Sequence, residues 1–243
     1  MKDKISIIHE PSSQKPFVII DKPAGLPSAP LNENDKENAF SQAAEIFPEL
    51  LQVQGKKEIE HGLLHRLDTG TSGLMIIAAN QECYDFLQQE QKENKIIKTY
   101  LAECQVSDSA NREELVQGKS FTIQSYFRAF GPGRKEVRPV TADSNKAALD
   151  KVEKKVLYTT QVIIKSIDKT KGRALVECKI TNGYRHQVRC HLAWIGLPIV
   201  NDSLYNPSAN KKSTEVMHFC ASKIQFEYPR GDLNSYDRKD TWT

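Results

Sequence analysis

The sequence predicts an α+β fold with a mixed, mainly antiparallel sheet. Strand-like runs outnumber helical ones and do not alternate with them regularly, which favours α+β over an alternating α/β architecture. No linker rich in proline, glycine and serine divides the 243 residues, so we expect a single domain over residues 1–243 with a core at about 15–230. Hydrophobic residues make up 39% of the chain and charged residues 27%, which is typical of globular rather than disordered proteins.

The first part of the chain contains two predicted strands and two predicted helices. Residues 17–20 form a β-branched run that ends at a turn around Pro23, as a buried strand does. Residues 39–51 have helical character, and residues 73–78 form a second buried strand. Asn80 is a suitable N-cap for a helix that extends to about Glu93.

The rest of the chain is richer in strands. The pattern predicts strands at 98–104, 121–130, 161–167, 174–181 and 219–228, and a helix at 184–195 that Gly196 ends. The segment Gly131-Pro-Gly133 breaks the chain after the second of these strands.

Composition excludes several classes of protein. The five cysteines are dispersed and form no C-x-x-C pair, so we expect buried free thiols in a reducing cytoplasm rather than disulfides or zinc. No stretch resembles a secretory signal or reaches the ~20 apolar residues of a membrane span. The net charge of +3 does not by itself indicate RNA, but it permits a local basic groove.

One loop stands out as a candidate reactive segment. Asp68 lies in a stretch rich in glycine, threonine and serine, directly before the strand at 73–78. Hydroxyls and backbone N–H groups in such a loop can orient a carboxylate and keep it ionised. On the residues alone, an aspartate in such a turn more often stabilises the turn than acts as a catalyst, so both roles stay open at this point. A zinc site is disfavoured, because His61 and His65 lack the glutamate of a zincin motif.

The same loop carries a resemblance to a known family. His65-Arg-Leu-Asp-Thr-Gly-Thr-Ser-Gly-Leu74 resembles the H-R-L-D-x-x-T-S-G-L motif of RluA-type pseudouridine synthases. Further segments resemble other motifs of that family, in the same order along the chain: Asp21-Lys-Pro-Ala-Gly25, Lys98-Thr-Tyr-Leu-Ala102, Asn182-Gly-Tyr-Arg-His-Gln-Val-Arg-Cys-His-Leu192, Pro198-Ile-Val-Asn-Asp202 and Leu204-Tyr205. The resemblance spans roughly residues 17–226 and implies the pseudouridine synthase fold with its bisected sheet.

The resemblance implies a reaction and three catalytic residues. Family members isomerise uridine in RNA to its C5-glycoside, and by position Asp68 is the catalytic carboxylate. It acts as a nucleophile at C1′ or as a base at the 2′ position, and the sequence leaves both open. Arg189 matches the arginine that pairs with this aspartate, and Tyr100 matches the tyrosine that stacks on the target base. The isomerisation requires no cofactor and no metal, and we expect none.

The resemblance also suggests residues that contact RNA. Arg66 matches a residue that enters the space left by the flipped nucleotide. His65, Arg185 and Gln187 belong to the same matched motifs. The chain's own pattern adds a basic loop around the Gly131 break that is suited to phosphates, and it contains Arg128, Arg134, Lys135 and Arg138. Arg173 and Lys211-Lys212 are weaker candidates of the same kind.

This chain departs from the family in places that concern the substrate. The usual G-R-[ST]-H-Q becomes Gly183-Tyr-Arg-His-Gln187, which moves the arginine by one position. The Lys-Pro-Ala-Gly segment begins at Lys22, so we expect no preceding S4-type RNA-binding domain of the kind that many relatives have. We therefore expect a stand-alone catalytic domain, acting as a monomer without an obligate protein partner on an rRNA or tRNA stem-loop. The alternatives are a catalytically silent RNA-binding protein on the same scaffold and an unrelated hydrolase.

Overall fold

The computed structural model describes residues 4–111, 113, 115–210 and 214–239. Its strands are β1 (Ser6–His9), β2 (Phe17–Lys22), β3 (Ser72–Ala78), β4 (Ile97–Gln105), β5 (Ser120–Phe130), β6 (Glu136–Val140), β7 (Tyr158–Asp168), β8 (Arg173–Ile180), β9 (Phe219–Glu227) and β10 (Leu233–Asp237). Its α-helices are α1 (Ala39–Ile46), α2 (Gln81–Lys92), α3 (Lys146–Leu149) and α4 (Gln187–Trp194). Short 3-10 helices lie at Pro48–Gln52, Glu58–Glu60 and Pro132–Arg134.

The described residues form two compact units. The first contains the chain up to Lys98 and again from Cys220 onward, and the second contains residues 99–219. The strand order of the first unit is β1-β2-β3-β9-β10. β2 pairs antiparallel with β1 and β3, whereas β9 pairs parallel with β3, with Gly73 opposite Ala221. This combination confirms the predicted mixed sheet.

The core of the first unit is built on β2 and β3. Phe17 is fully buried, and its ring meets that of Phe226 edge-on at 5.1 Å between centroids. Helix α2 covers this core with Cys83 and Leu87, both of which are buried. Its N-cap is Asn80, whose side chain accepts the Cys83 N–H, as the sequence predicted.

The second unit has the strand order β4-β8-β7-β5-β6. β7 pairs antiparallel with β8 and β5, and β5 pairs antiparallel with β6. Helix α4 lies against β6 and β7. Phe127, Val137 and Tyr158 pack against Cys190 of this helix in a buried cluster. In the second unit an antiparallel sheet therefore packs against the short helix α4, in keeping with the predicted α+β class.

Two predicted helices were too long. The helix expected at 39–51 stops at Ile46, because Phe47 precedes Pro48 and the residue before a proline is pushed out of the helical region. The helix expected at 184–195 begins only at Gln187, because His186 has a φ of 56° in the left-handed region. Ahead of this residue, the Gln187 side chain accepts the Tyr184 N–H and forms a separate turn.

The predicted burial of the cysteines is confirmed. All five cysteines are free and buried. Burial raises the pKa of the Cys83 and Cys190 thiols to about 12, so both remain protonated near neutral pH. Within the described part of the chain, no helix combines the length and the apolar character needed to cross a bilayer.

Candidate active site

The carboxylate loop, residues 65–73, belongs to the first unit and is held by backbone hydrogen bonds. Asp68 is half-buried, and its carbonyl accepts the Thr71 N–H at 2.9 Å, which closes a turn. The buried Ser28 hydroxyl donates to the Leu67 carbonyl at 2.7 Å and accepts the Leu67 N–H at 2.9 Å. The residue before the aspartate therefore has both of its backbone polar groups bound to one side chain, which defines the direction of the loop.

Lys22 fastens the other side of the loop. It is fully buried, and its Nζ donates to the carbonyls of Leu26 at 2.6 Å, Pro23 at 3.0 Å and Thr69 at 3.2 Å. Burial lowers the pKa of this lysine to about 8, against the opposing effect of the negative charges of Asp68 and Asp21. The motif at 21–25 thus places a buried cation next to the residue that follows Asp68.

The loop leads directly into a tight contact between strands. Gly73 has a φ of +121°, and a Cβ on it would lie 2.3 Å from the carbonyl oxygen of Ala221 on β9. Only glycine permits this approach, so the start of β3 is held closely against its parallel neighbour. Next to it, Arg238 donates to Asp21 at 2.7 Å and to the Ser72 hydroxyl at 3.2 Å.

The two residues at the start of the loop have different surroundings. The His65 Nε2 accepts the Ile76 N–H at 3.3 Å, and burial together with the charge of Lys98 lowers the pKa of His65 to about 3. The geometry therefore favours a neutral, structural His65. Arg66 is exposed and pairs with Glu60 at 3.1 Å. The RNA contacts of both residues stay predictions.

Tyr100 lies on β4 in the second unit. It is 7% exposed, and its ring stacks on Phe219 with centroids 5.2 Å apart and planes at 15°. The sequence predicted Phe219 only as the start of a strand, because a strand-like run does not indicate which ring each of its residues stacks against. The contact orients the Tyr100 ring, and its stacking on a base stays a prediction.

Arg189 forms a buried ion pair within the second unit. Its Nε and Nη2 each donate to a carboxylate oxygen of Asp202 at 2.8 Å, and the two residues are 8% and 1% exposed. One of these oxygens also accepts the N–H groups of Leu204 and Tyr205 at 3.0 and 3.1 Å. Burial alone would raise the pKa of Asp202, but the bonds and charge of Arg189 outweigh it and lower this pKa. The guanidinium is therefore fixed by a partner that is ionised near neutral pH, while its predicted pairing with Asp68 stays a prediction.

Gln187 begins α4 and is 2% exposed. Its Nε2 donates to the Thr159 carbonyl and to the Thr160 hydroxyl, while its Oε1 accepts the Tyr184 N–H. The same Thr160 hydroxyl bonds the buried His191, whose pKa burial lowers to about 3. These bonds favour a positioning role for Gln187, which fixes the turn from which Arg189 projects.

Arg185 connects the start of α4 to the β5–β6 hairpin. Its Nη2 donates to the carbonyls of Arg134 at 2.6 Å and of Glu136 at 3.1 Å. Arg134 pairs with Glu153, and the Glu153 carboxylate also accepts the Tyr184 hydroxyl at 3.0 Å. The arginine that is displaced by one position in the motif thus binds backbone within this unit.

The remaining basic candidates lie on or near that hairpin. Arg128 lies on β5, and Lys135 is exposed at the end of the connecting 3-10 helix. Arg173 pairs with Glu103 at 3.1 Å. Lys211 and Lys212 lie outside the described residues. Where the chain is described, no group of three or more His, Cys, Asp or Glu residues is placed to hold a metal ion.

Comparison with known proteins gives a consistent result. A family model for RNA pseudouridylate synthase matches residues 16–194. An uncharacterized RNA pseudouridine synthase of Mycoplasma pneumoniae is 27% identical over 213 residues, covering 88% of this chain and 60% of that protein. The tRNA pseudouridine(31) synthase of Saccharomyces cerevisiae is 30% identical over 198 residues, covering 78% of this chain and 44% of that protein. The chain thus spans about three fifths of the first relative and less than half of the second.

A solved structure shows the same fold. Human RNA pseudouridylate synthase domain containing 1 is 19% identical and superposes with a TM-score of 0.68, over 98% of this chain and 84% of that chain. This likeness confirms the pseudouridine synthase fold. A single family match includes Asp68, Tyr100 and Arg189, and on this evidence the chain belongs to the RNA pseudouridylate synthase family, of the RluA type that its motifs indicated.

Proposed function

We propose that this protein isomerises specific uridines in structured RNA to pseudouridine, with Asp68 as the catalytic carboxylate. The observation that carries the proposal is the carboxylate loop. Asp68 is half-buried, and the backbone on either side of it is bound by the buried side chains of Ser28 and Lys22. A carboxylate held on an anchored loop is the preorganised group that such a reaction requires.

The reaction is balanced without a cofactor. The bond from uracil N1 to C1′ breaks, the base rotates, and a bond from C5 to C1′ forms. N1 gains a proton, and the hydrogen on C5 leaves to solvent. Asp68 serves either by adding to C1′ or by removing the 2′ proton, and the anchored loop is compatible with both roles.

Tyr100 and Arg189 have the two remaining catalytic roles. The contact of Tyr100 with Phe219 supports a fixed ring orientation, which a stacking platform for the target base needs. The paired and buried guanidinium of Arg189 supports a cation whose position is set before substrate arrives. In the proposal this cation stabilises the Asp68 carboxylate, as the matched motif implies.

The proposed RNA-binding residues are Arg66, Arg128, Arg134, Lys135 and Arg185, with His65 and Gln187 supporting the segments that carry them. Exposed cations at the carboxylate loop and on the β5–β6 hairpin suit phosphate groups. A stem-loop of tRNA or rRNA is the proposed substrate. The name of the yeast relative, a tRNA pseudouridine(31) synthase, favours tRNA. The reduced, buried cysteines fit the further proposal of a cytoplasmic monomer.

The test uses RNA labelled with tritium at C5 of uridine, because isomerisation releases this hydrogen to water. The full chain is incubated with labelled tRNA and rRNA transcripts. We expect release with the wild-type protein and none with Asp68→Asn, which should still bind RNA. Asp85→Asn, an exposed aspartate on α2, serves as the matched control and should keep wild-type release. RNA binding without release by the wild-type protein would instead identify a silent RNA-binding protein.

A further inference from the structure

Two arginines face each other on the β5–β6 hairpin. Arg128 on β5 is directly opposite Arg138 on β6, with Phe130 two residue pairs further along on the same face. The guanidinium carbon of Arg138 lies 3.4 Å from the centroid of the Phe130 ring, and that of Arg128 lies 5.0 Å from it. Like charges placed directly opposite in a sheet destabilise it, so the arrangement needs an explanation.

No acidic residue of the described chain compensates these charges. Neither Arg128 nor Arg138 forms an ion pair with a described residue, and the carboxylate of the nearby Glu136 lies beside Gly131 instead. Other arginines do have carboxylate partners: Arg66 with Glu60, Arg134 with Glu153, Arg173 with Glu103, Arg189 with Asp202 and Arg238 with Asp21. The two facing arginines therefore form a local concentration of positive charge.

The hairpin that carries them is held firmly. On its opposite face Phe127 and Val137 are buried in the core of the second unit. The Val137 N–H donates to the Tyr205 hydroxyl at 2.8 Å, and Arg185 binds the Glu136 carbonyl. Because the buried face is fixed, the arginine face is fixed as well, and little conformational freedom of the backbone would be lost on binding a ligand.

The geometry points to a phosphate-binding site, and we propose that Arg128 and Arg138, oriented by Phe130, bind a phosphodiester of the RNA backbone. A guanidinium that stacks on a ring through its face keeps its N–H edges available for the oxygens of an anion. An anion shared by both arginines also offsets their mutual repulsion. This inference rests on the proposed function for the identity of the ligand. It gives Arg128 and Arg138 of the predicted basic loop one shared phosphate, and it gives Phe130 an orienting role.

The test measures binding of a fluorescently labelled RNA hairpin to the full-length chain over a range of salt concentrations. Each phosphate contact contributes roughly one unit to the slope of log K against log salt. We expect Arg128→Gln and Arg138→Gln each to weaken binding and to lower this slope by about one. Arg230→Gln is the matched control, because it removes the same charge from another exposed arginine that has no ion pair with a described residue. It should keep the wild-type slope.

A third variant separates the ring from the charges. Phe130→Leu retains both guanidinium groups, so we expect weaker binding with the slope nearly unchanged. If the two arginine variants keep the slope of Arg230→Gln, the phosphate site is refuted. If Phe130→Leu binds as the wild type does, the orienting role of the ring is refuted. Neither result affects tritium release by the wild-type protein, so failure of this site is distinguishable from failure of the proposed function.

Discussion

Replacement of Arg189 by methionine tests how the buried guanidinium is held. The substitution keeps most of the side-chain volume but leaves the Asp202 carboxylate, which is 1% exposed, without its cation. Removal of one partner from a buried ion pair costs about 3–5 kcal/mol. Because Asp202 retains the N–H groups of Leu204 and Tyr205, we expect the lower end, about 3 kcal/mol. For a chain of this size that corresponds to a fall in Tm of roughly 6–12 °C.

The assay is urea and thermal unfolding of the wild type and four variants, followed by circular dichroism. Arg189→Met and Asp202→Asn are compared with each other, with the double variant and with Arg230→Met as an exposed control. We expect the double variant to lose less free energy of unfolding than the sum of the single variants, because removing both charges leaves neither stranded. A loss of about 1 kcal/mol or less for Arg189→Met, as for a surface pair, would refute the reasoning. So would strictly additive effects.

The same pair should contribute to acid sensitivity. The pKa of Asp202 is lower in the folded protein than in the unfolded chain, since Arg189 stabilises the ionised form. Its contribution to stability is therefore present above the unfolded carboxyl pKa of about 3.9 and is lost as the pH falls through the lower folded value. Asp202→Asn should flatten this part of the acid unfolding curve, and an unchanged curve would contradict the assignment.

Three further predictions concern groups around the site. The pKa of Lys22 falls to about 8 on burial, so between pH 8 and 10.5 the unfolded chain holds a proton that the folded chain has released. In urea unfolding, the stability of the wild type relative to Lys22→Met should therefore rise by up to about 3 kcal/mol over this pH range. A stability difference that does not depend on pH would argue against the lowered pKa. The pKa of His191 falls to about 3, so between pH 6.5 and 3 acid protonates this histidine only in the unfolded chain. His191→Gln should therefore lose stability less steeply than the wild type over this pH range. Equal slopes of stability against pH in the two proteins would exclude a contribution of His191 to acid unfolding. Gly73→Ala should unfold at a much lower temperature than Gly25→Ala. Both glycines have a positive φ, but only a Cβ at Gly73 would clash, with the backbone of Ala221. Equal melting temperatures of the two variants would refute the steric argument.

The sequence predicted the buried strands well, because their signal is local. The β-branched run of β2 and the apolar run of β3 lie within one residue or two of the observed bounds. Helix α2 was predicted equally well, since its N-cap and its apolar face both lie within one continuous segment of the sequence. Pro48 indicates the end of α1, but the helical pattern of the leucines that follow it led to the prediction of a longer helix.

Three strands were missed for a different reason. β1 and β10 are short and only partly buried, so neither has enough apolar residues to show a period. β6 contains Arg138 and Pro139 and resembles a loop in composition, yet it pairs with β5 across the Gly131 turn. It ends the strand order of the second unit, where a proline does not interrupt a sheet.

The candidate site also has a part that the sequence predicted and a part that it did not. The identity of Asp68, Tyr100 and Arg189 as candidates came from contiguous motifs. The residues that hold these candidates in place could not be predicted from the motifs, because they are distant in sequence. Lys22 binds the carbonyl of Thr69, 47 residues away, and Tyr100 stacks on a ring more than one hundred residues later. The sequence marks such residues as motif members, but only the folded chain shows what they contact.

The most direct test of the central claim is a map of pseudouridine in RNA from cells that lack this protein. A pseudouridine-specific carbodiimide marks each site, and reverse transcription stops at the marked positions. We expect at least one stop to disappear in tRNA or rRNA, to return with the wild-type protein, and to stay absent with Asp68→Asn at equal expression. If no stop disappears, or if Asp68→Asn restores it, then the chain does not work as a pseudouridine synthase through this carboxylate.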